Sequence, residues 1–143
     1  MKMNMKKVLA VLMVLVMAVG LMAGCGKGGD DEKARIGILQ LMEHPSLNTI
    51  RESIIEGLAE AGYVDGENIT IDYQNGQNDM TIMKTAAQNF VSDGCEVIIA
   101  IATPAAQAVL SETTEIPIVF AAVTDPVDAG LVDSLEAPGG NVT

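Results

Sequence analysis

The chain has 143 residues, enough for one ordinary domain, and carries 19 acidic against 8 basic side chains, a formal net charge of −11. Lys2, Lys6 and Lys7 precede every acid, so the portion from Cys25 onward is more acidic still, at −14. Such a surface repels phosphates and excludes a nucleic-acid partner.

Met1 to Gly24 is of different composition. Its lysines are followed by an unbroken apolar run, "VLAVLMVLVMAVGLMAG", from Val8 to Gly24. Basic start, apolar middle and small residues before a polar mature sequence predict a signal peptide over residues 1–24. Met22-Ala23-Gly24-Cys25 resembles a bacterial lipobox, with Met22 where Leu is usual. The small residues admit the chain to a tight processing site, and the Cys25 thiol is the nucleophile that takes a diacylglyceryl group. The resemblance implies lipidation at Cys25 and anchoring to the bacterial cell membrane through acyl chains. "GKGGDDEKA" is rich in Gly and charge, so residues 25–33 read as a lipidated N-terminus and flexible tether. With Cys25 so used, Cys95 has no disulfide partner and reads as a small buried residue.

From Ala34 strand and helix patterns alternate. "ARIGILQ" predicts a first strand, and Pro45 opens a helix whose Ile50, Ile54, Leu58 and Ala61 recur at helical spacing. Gly62 is placed to end it. "NITIDY" alternates as a second strand. Asp79 caps a second helix with Ile82, Met83, Ala86, Ala87 and Phe90 on one face, ended by Gly94. "EVIIAIA" is the near-continuous apolar run of a parallel strand covered on both faces. Thr103 and Pro104 open a third helix as cap and first residue, and "IPIVFAAV" supplies a fourth strand. A short helical piece is expected at Leu131 to Leu135, with "APGGNVT" as loop. The alternation predicts an α/β fold with a parallel sheet flanked by helices and right-handed crossovers.

In such a sheet, ligands bind outside the carboxyl ends of the strands. That selects the loops Gln40 to Ser46, Gln74 to Asp79, Ala102 to Ala105 and Val123 to Val127. Three of them yield the candidate ligand-binding residues: Gln40, His44, Thr103, Pro104, Ala105, Thr124 and Asp125. Helix starts there offer backbone N–H groups and a positive dipole end to a carboxylate or phosphate. The hydroxyls of Thr103 and Thr124 suit the same anion, and Asp125 suits an ammonium group. No dinucleotide fingerprint, P-loop, GxSxG or His/Cys metal spacing occurs, so neither catalytic residues, a metal nor a cofactor is expected.

The ordered set Gln40, Glu43-His44-Pro45, Gly62-Tyr63, Gly66-Glu67-Asn68, Ala102 to Gln107, Val123 to Val132 and Pro138 to Thr143 resembles the TrpX-like substrate-binding lipoproteins of ABC importers. The resemblance implies a periplasmic-binding-protein-like fold of two α/β lobes that clamp a small solute, in some members an aromatic amino acid. Family chains are roughly twice this length, within the range of a two-lobed protein. Residues 34–143 are therefore expected to form the first ligand-binding lobe, truncated before the second. The implied protein is extracytoplasmic, is not an enzyme, and delivers solute to ABC permease subunits. Two other readings compete: a ligand-sensing lobe of a signalling receptor, and an extracytoplasmic flavodoxin-like enzyme.

Overall fold

Local signals account for the elements of the computed structural model, which describes residues 33–143. The expected signal peptide, Cys25 and all but the end of the tether lie outside the described residues. The strands are β1 (Ala34–Gln40), β2 (Ile69–Asn75), β3 (Val97–Ile101) and β4 (Ile118–Ala121). The helices are α1 (Pro45–Glu60), α2 (Met80–Ser92) and α3 (Thr103–Leu110).

α1 and α2 stop for the same reason. Gly62 and Gly94 adopt φ of 92° and 72°, which a side chain would resist. Each glycine N–H then bonds back three residues, Gly62 to Ala59 at 3.0 Å and Gly94 to Val91 at 3.3 Å. The next N–H reaches back five, Tyr63 to Leu58 at 2.8 Å and Cys95 to Phe90 at 3.0 Å, completing a Schellman motif that satisfies the last carbonyls. α2 starts on Asp79, whose carboxylate accepts from the Thr81 and Ile82 N–H groups at 2.7 and 3.3 Å.

The four strands are parallel in the order β2-β1-β3-β4. α1 packs Leu47, Ile50, Ile54, Ile55 and Leu58 on the face carrying Ile38, Ile99 and Ile101. α2 and α3 pack Met83, Ala86, Ala87, Phe90, Ala105, Ala106 and Val109 on the other, with Leu39, Ile98 and Ile118. The chain reverses its direction across the sheet after β2 as it changes face, as a single crossover handedness requires. Gly37 lies in β1 under Phe90, where a Cβ would stand 2.8 Å from the ring. Its lack of a side chain lets the ring lie on the sheet.

Several expectations need correction. Leu131 to Leu135 is not helical: residues 126–130 form a turn ending on Gly130 at φ 70°. Leu131 and Val132 are buried all the same, packed into the α2/α3 core as irregular chain. "APGGNVT" is not all loop. Val142 bridges Ile118 in parallel, and the N–H of Thr143 donates to the Ile118 carbonyl at 2.8 Å. Its partner edge on β4 would otherwise carry unpaired backbone groups. β2 continues through Gln74 and Asn75, two residues beyond the expected strand end at Tyr73, because both pair with β1. Ile82 is 37% exposed instead of lying on the buried face of α2.

Candidate functional site

Strand order, not sequence order, assembles the carboxyl end of the sheet. β1 and β3 are neighbours, with Gln40 aligned on Ile101, and the order reverses between them. At such a switch point the connections leave in opposite directions and open a crevice. The β1–α1 loop and the start of α3 therefore border one mouth. They are tied together by the Leu41 N–H, which donates to the Ile101 carbonyl at 3.2 Å.

α3 follows β3 after a single residue, Ala102, at φ 82° and ψ 154°. This region is almost reserved for glycine and costs on the order of 1–3 kcal/mol. Two bonds hold it: the Ala102 N–H donates to the Ala121 carbonyl at 2.9 Å, and its carbonyl accepts from the Ala106 N–H at 3.1 Å. Thr103 is consequently not the helix cap. It is the first helical residue, and Ala102 holds the cap position with no side-chain hydrogen bond. Pro104 lacks an N–H, so the donors left free of the helix at its start belong to Thr103 and Ala105. The Ala105 side chain is fully buried, so only its main chain can serve a ligand. Among the described residues, the other non-glycine residues at positive φ are Gln77, Asn78 and Ala122, and these too follow strand ends.

Thr124 and Asp125 are exposed in the connection after β4. Asp125 Oδ1 accepts from the N–H groups of Val127 and Asp128 at 3.1 and 3.0 Å, so this carboxylate sets the 126–130 turn. Gln107 on α3 donates to the Ala129 carbonyl at 3.0 Å and joins that turn to the helix.

Gln40 is wholly buried at the end of β1. Both amide hydrogens are committed, to the Met42 carbonyl and to Asn48 Oδ1, each at 2.7 Å. Arg51 Nη1 donates to Gln40 Oε1 at 3.2 Å and to Glu43 Oε1 at 3.3 Å. The Arg51 guanidinium lies 4.3 Å above the Tyr73 ring, and the Tyr73 hydroxyl donates to the same Glu43 oxygen at 2.5 Å. The Tyr73 hydrogen bond, then Asn48 and the Arg51 charge, hold the Glu43 carboxyl below its usual range. Burial, then the bond to Glu43, pushes Tyr73 up. Gln40 thus fixes the loop from within. Tyr73, Asn48 and Arg51 were not among the residues expected at the site. The Ile69, Ile71, Tyr73 alternation carries no sign of a partner 30 residues away.

His44 is exposed and caps α1: its Nδ1 accepts from the Ser46 N–H at 3.3 Å. An accepting Nδ1 leaves Nε2 to carry the hydrogen of the neutral ring. At the other end of the sheet a groove of about 430 Å³ is lined by Ala34, Ile36, Leu58, Tyr63, Val97 and Val119, among others. It offers almost no polar group to orient a charged solute.

Residues 35–143 match the family described as ABC transporter substrate binding protein. The chain belongs to that family. A curated relative, the tyrosine-binding protein of Clostridioides difficile (strain R20291), is 47% identical over 150 residues, covering 96% of this chain and 44% of its own. The chain thus spans less than half the length of that relative. A ligand-free, open structure of a Clostridium difficile substrate-binding protein with adhesive properties is similar at TM-score 0.75 and 51% identity, over 77% of this chain and 37% of that one. An ABC domain from Streptococcus pneumoniae in complex with L-Trp is similar at TM-score 0.75 and 45% identity, over 78% and 37%. The relatives that the chain matches are thus named as binding proteins.

Proposed function

We propose that the full-length protein is the solute receptor of an ABC importer and binds an L-amino acid with an aromatic side chain between two lobes, of which residues 34–143 are the first. The observation that carries this reading is the mouth at the β1/β3 switch point, where α3 presents its free N–H groups beside the β1–α1 loop. It is supported by two relatives, one named for tyrosine and one holding L-Trp. The N–H groups of Thr103 and Ala105, with the hydroxyls of Thr103 and Thr124, receive the ligand carboxylate. The helix dipole contributes roughly 0.3–1 kcal/mol and each charged hydrogen bond about 1.5–3 kcal/mol. His44 Nε2 offers a further donor at the rim. Closure of the lobes around the solute supplies selectivity, and the closed form delivers it to the permease. No covalent step is involved.

Calorimetry on the full-length mature protein with L-tyrosine, L-tryptophan and a sugar panel tests the ligand. At 100 times its dissociation constant a specific ligand adds about 2.7 kcal/mol of stability. Binding of a sugar and of no amino acid would sink the assignment.

The lipobox-like stretch before Cys25 supports anchoring of the mature receptor to the outer face of the cell membrane by lipid. Cys25→Ala should move the protein from the membrane fraction to an unprocessed or released form. A variant processed and anchored like the parent would remove the lipid from the account.

A further inference from the structure

Of the four loops at the carboxyl end of the sheet, the one from Gln74 to Asp79 contributes no residue to the site described above. It closes in a tight turn in which Gln77 and Asn78 adopt φ of 51° and 56°, and the Asp79 N–H donates to the Gly76 carbonyl at 2.8 Å. Two further bonds pin it to the end of β1: the Gly76 N–H donates to the Gln40 carbonyl at 2.8 Å and the Asn78 N–H to the Leu41 carbonyl at 2.9 Å. The inner side of the turn is filled, since a Cβ at Gly76 would collide with Met83 and lie 3.0 Å from the Leu41 carbonyl. Glycine takes a positive φ freely and Asn tolerates it, but Gln resists it. The Gln77 N–H is spent on Asn75 Oδ1 at 2.9 Å, whereas its side chain is exposed and has no hydrogen-bond partner among the described residues. The turn thus holds, in a strained conformation, a residue whose side-chain amide is uncommitted.

We propose that Gln77 is a specificity-determining residue, its amide hydrogen-bonding the polar atom at the far end of the ligand's aromatic side chain. The proposal rests on the amino-acid reading above and adds which aromatic side chains are accepted. Leu41 supplies the placement. Its N–H donates to the Ile101 carbonyl, just before the start of α3, and its carbonyl accepts from the Asn78 N–H. The α3 start and the turn therefore flank one residue, and α2 and α3 run from them over the same face of the sheet. Two strand spacings, roughly 10 Å, separate the flanks. A ligand with its carboxylate on the N–H groups of Thr103 and Ala105 lays its ring along the partly buried Leu41 and brings the outer edge of the ring to the turn. An amide both donates and accepts, so one Gln serves a phenol hydroxyl or an indole N–H. A plain phenyl ring leaves that amide unpaired, and an unpaired polar group in the site is a strong source of discrimination. Glycine at this position would relieve the turn and lose the amide, so strain and recognition are carried by the same residue.

The test uses the full-length mature protein, calorimetry and paired probes. L-tyrosine is compared with L-phenylalanine, which lacks only the hydroxyl, and L-tryptophan with L-3-benzothienylalanine, in which sulfur replaces the indole N–H. The parent should bind the polar member of a pair at least tenfold more tightly than its partner. Gln77→Ala keeps a Cβ in the turn and removes the amide. It should weaken the polar member at least fivefold and leave the other within twofold. Gln77→Gly should lose the same discrimination while raising the urea midpoint, because glycine meets the positive φ without strain. It carries the test if Gln77→Ala does not fold. Equal weakening of both members of a pair would reduce Gln77 to shaping the turn and overturn the proposal. Unchanged affinities in both variants would overturn it as well. A parent that binds both members of each pair equally overturns this proposal while leaving an aromatic amino-acid receptor. A parent that binds none of the four overturns the functional reading too.

Discussion

Phe90 over Gly37 shows how much one missing side chain can carry. A Cβ at Gly37 would lie 2.8–3.0 Å from three ring carbons of the fully buried Phe90, so ring or strand would have to shift. Gly37→Ala should therefore destabilise the fold by about 1–3 kcal/mol, the usual cost of overpacking. Urea denaturation of parent and variant measures it, and an unchanged midpoint would mean that the ring moves freely. Cys95 gives a prediction in pH. Its thiol is buried, and burial, reinforced by the Asp72 charge, pushes its pKa up from 9.0 to about 11. The unfolded thiol ionises first, so the folded state binds the extra proton between those values. The stability this contributes is complete below pH 9 and is lost as pH rises toward 11. In a Cys25→Ala background, the parent should lose stability from pH 8.5 to 10.5 more steeply than its Cys95→Ala derivative. Parallel pH profiles would contradict this. The same burial should keep Cys95 unreactive toward a thiol reagent until urea is added.

At the level of elements, α2 owes its limits to its two ends and its place to one face. Asp79 satisfies two orphan N–H groups at the start, and Gly94 at φ 72° permits the Schellman bonds at the finish. Removing either, as Asp79→Ala or Gly94→Ala, should cost about 1 kcal/mol. The ends of a 13-residue helix are roughly 20 Å apart, so the two losses should add within about 0.5 kcal/mol in the double variant. Strong non-additivity in denaturant titrations would show that the helix frays as one unit. α3 contrasts with α2. It has no side-chain cap and begins on a strained alanine, so its start is held by the tertiary bonds of Ala102 to Ala121 and Ala106. Strain and uncapped donors at a strand end fit a place kept for a ligand.

For the molecule as a whole, half a cleft differs from a cleft. A small-molecule site covers most of its ligand, so in the two-lobed reading proposed above the mouth formed by residues 34–143 leaves about half of the solute in water. Residues 26–143 alone should bind an amino acid at least tenfold more weakly than the full-length receptor, and should tend to aggregate. Calorimetry on both forms reads the difference, and equal affinity would place the whole site in this lobe. Acidic character throughout the lobe disfavours anionic solutes at long range, so a local arrangement of N–H donors has to supply the attraction for a carboxylate.

What could be read from the sequence is what depends on near neighbours along the chain. The Ile50, Ile54, Leu58 stripe, the Asp79 cap, the glycines at positions 62 and 94 and the apolar run of β3 each report a local backbone preference or a buried face, and each stands in the structure. The loops able to form a site were legible too, because a parallel α/β sheet places them at its carboxyl ends. The interior of that site was not. Tyr73 meets Glu43 across 30 residues, Arg51 reaches back to Gln40 across 11, and Val142 finds Ile118 only because β4 offers an edge. Ala102 replaces Thr103 as cap because β3 runs into α3 with one residue to turn in. Such partnerships depend on strand order and register, which long-range packing selects. A residue's pattern along the chain names the face it takes, while the group it meets there is decided by the sheet.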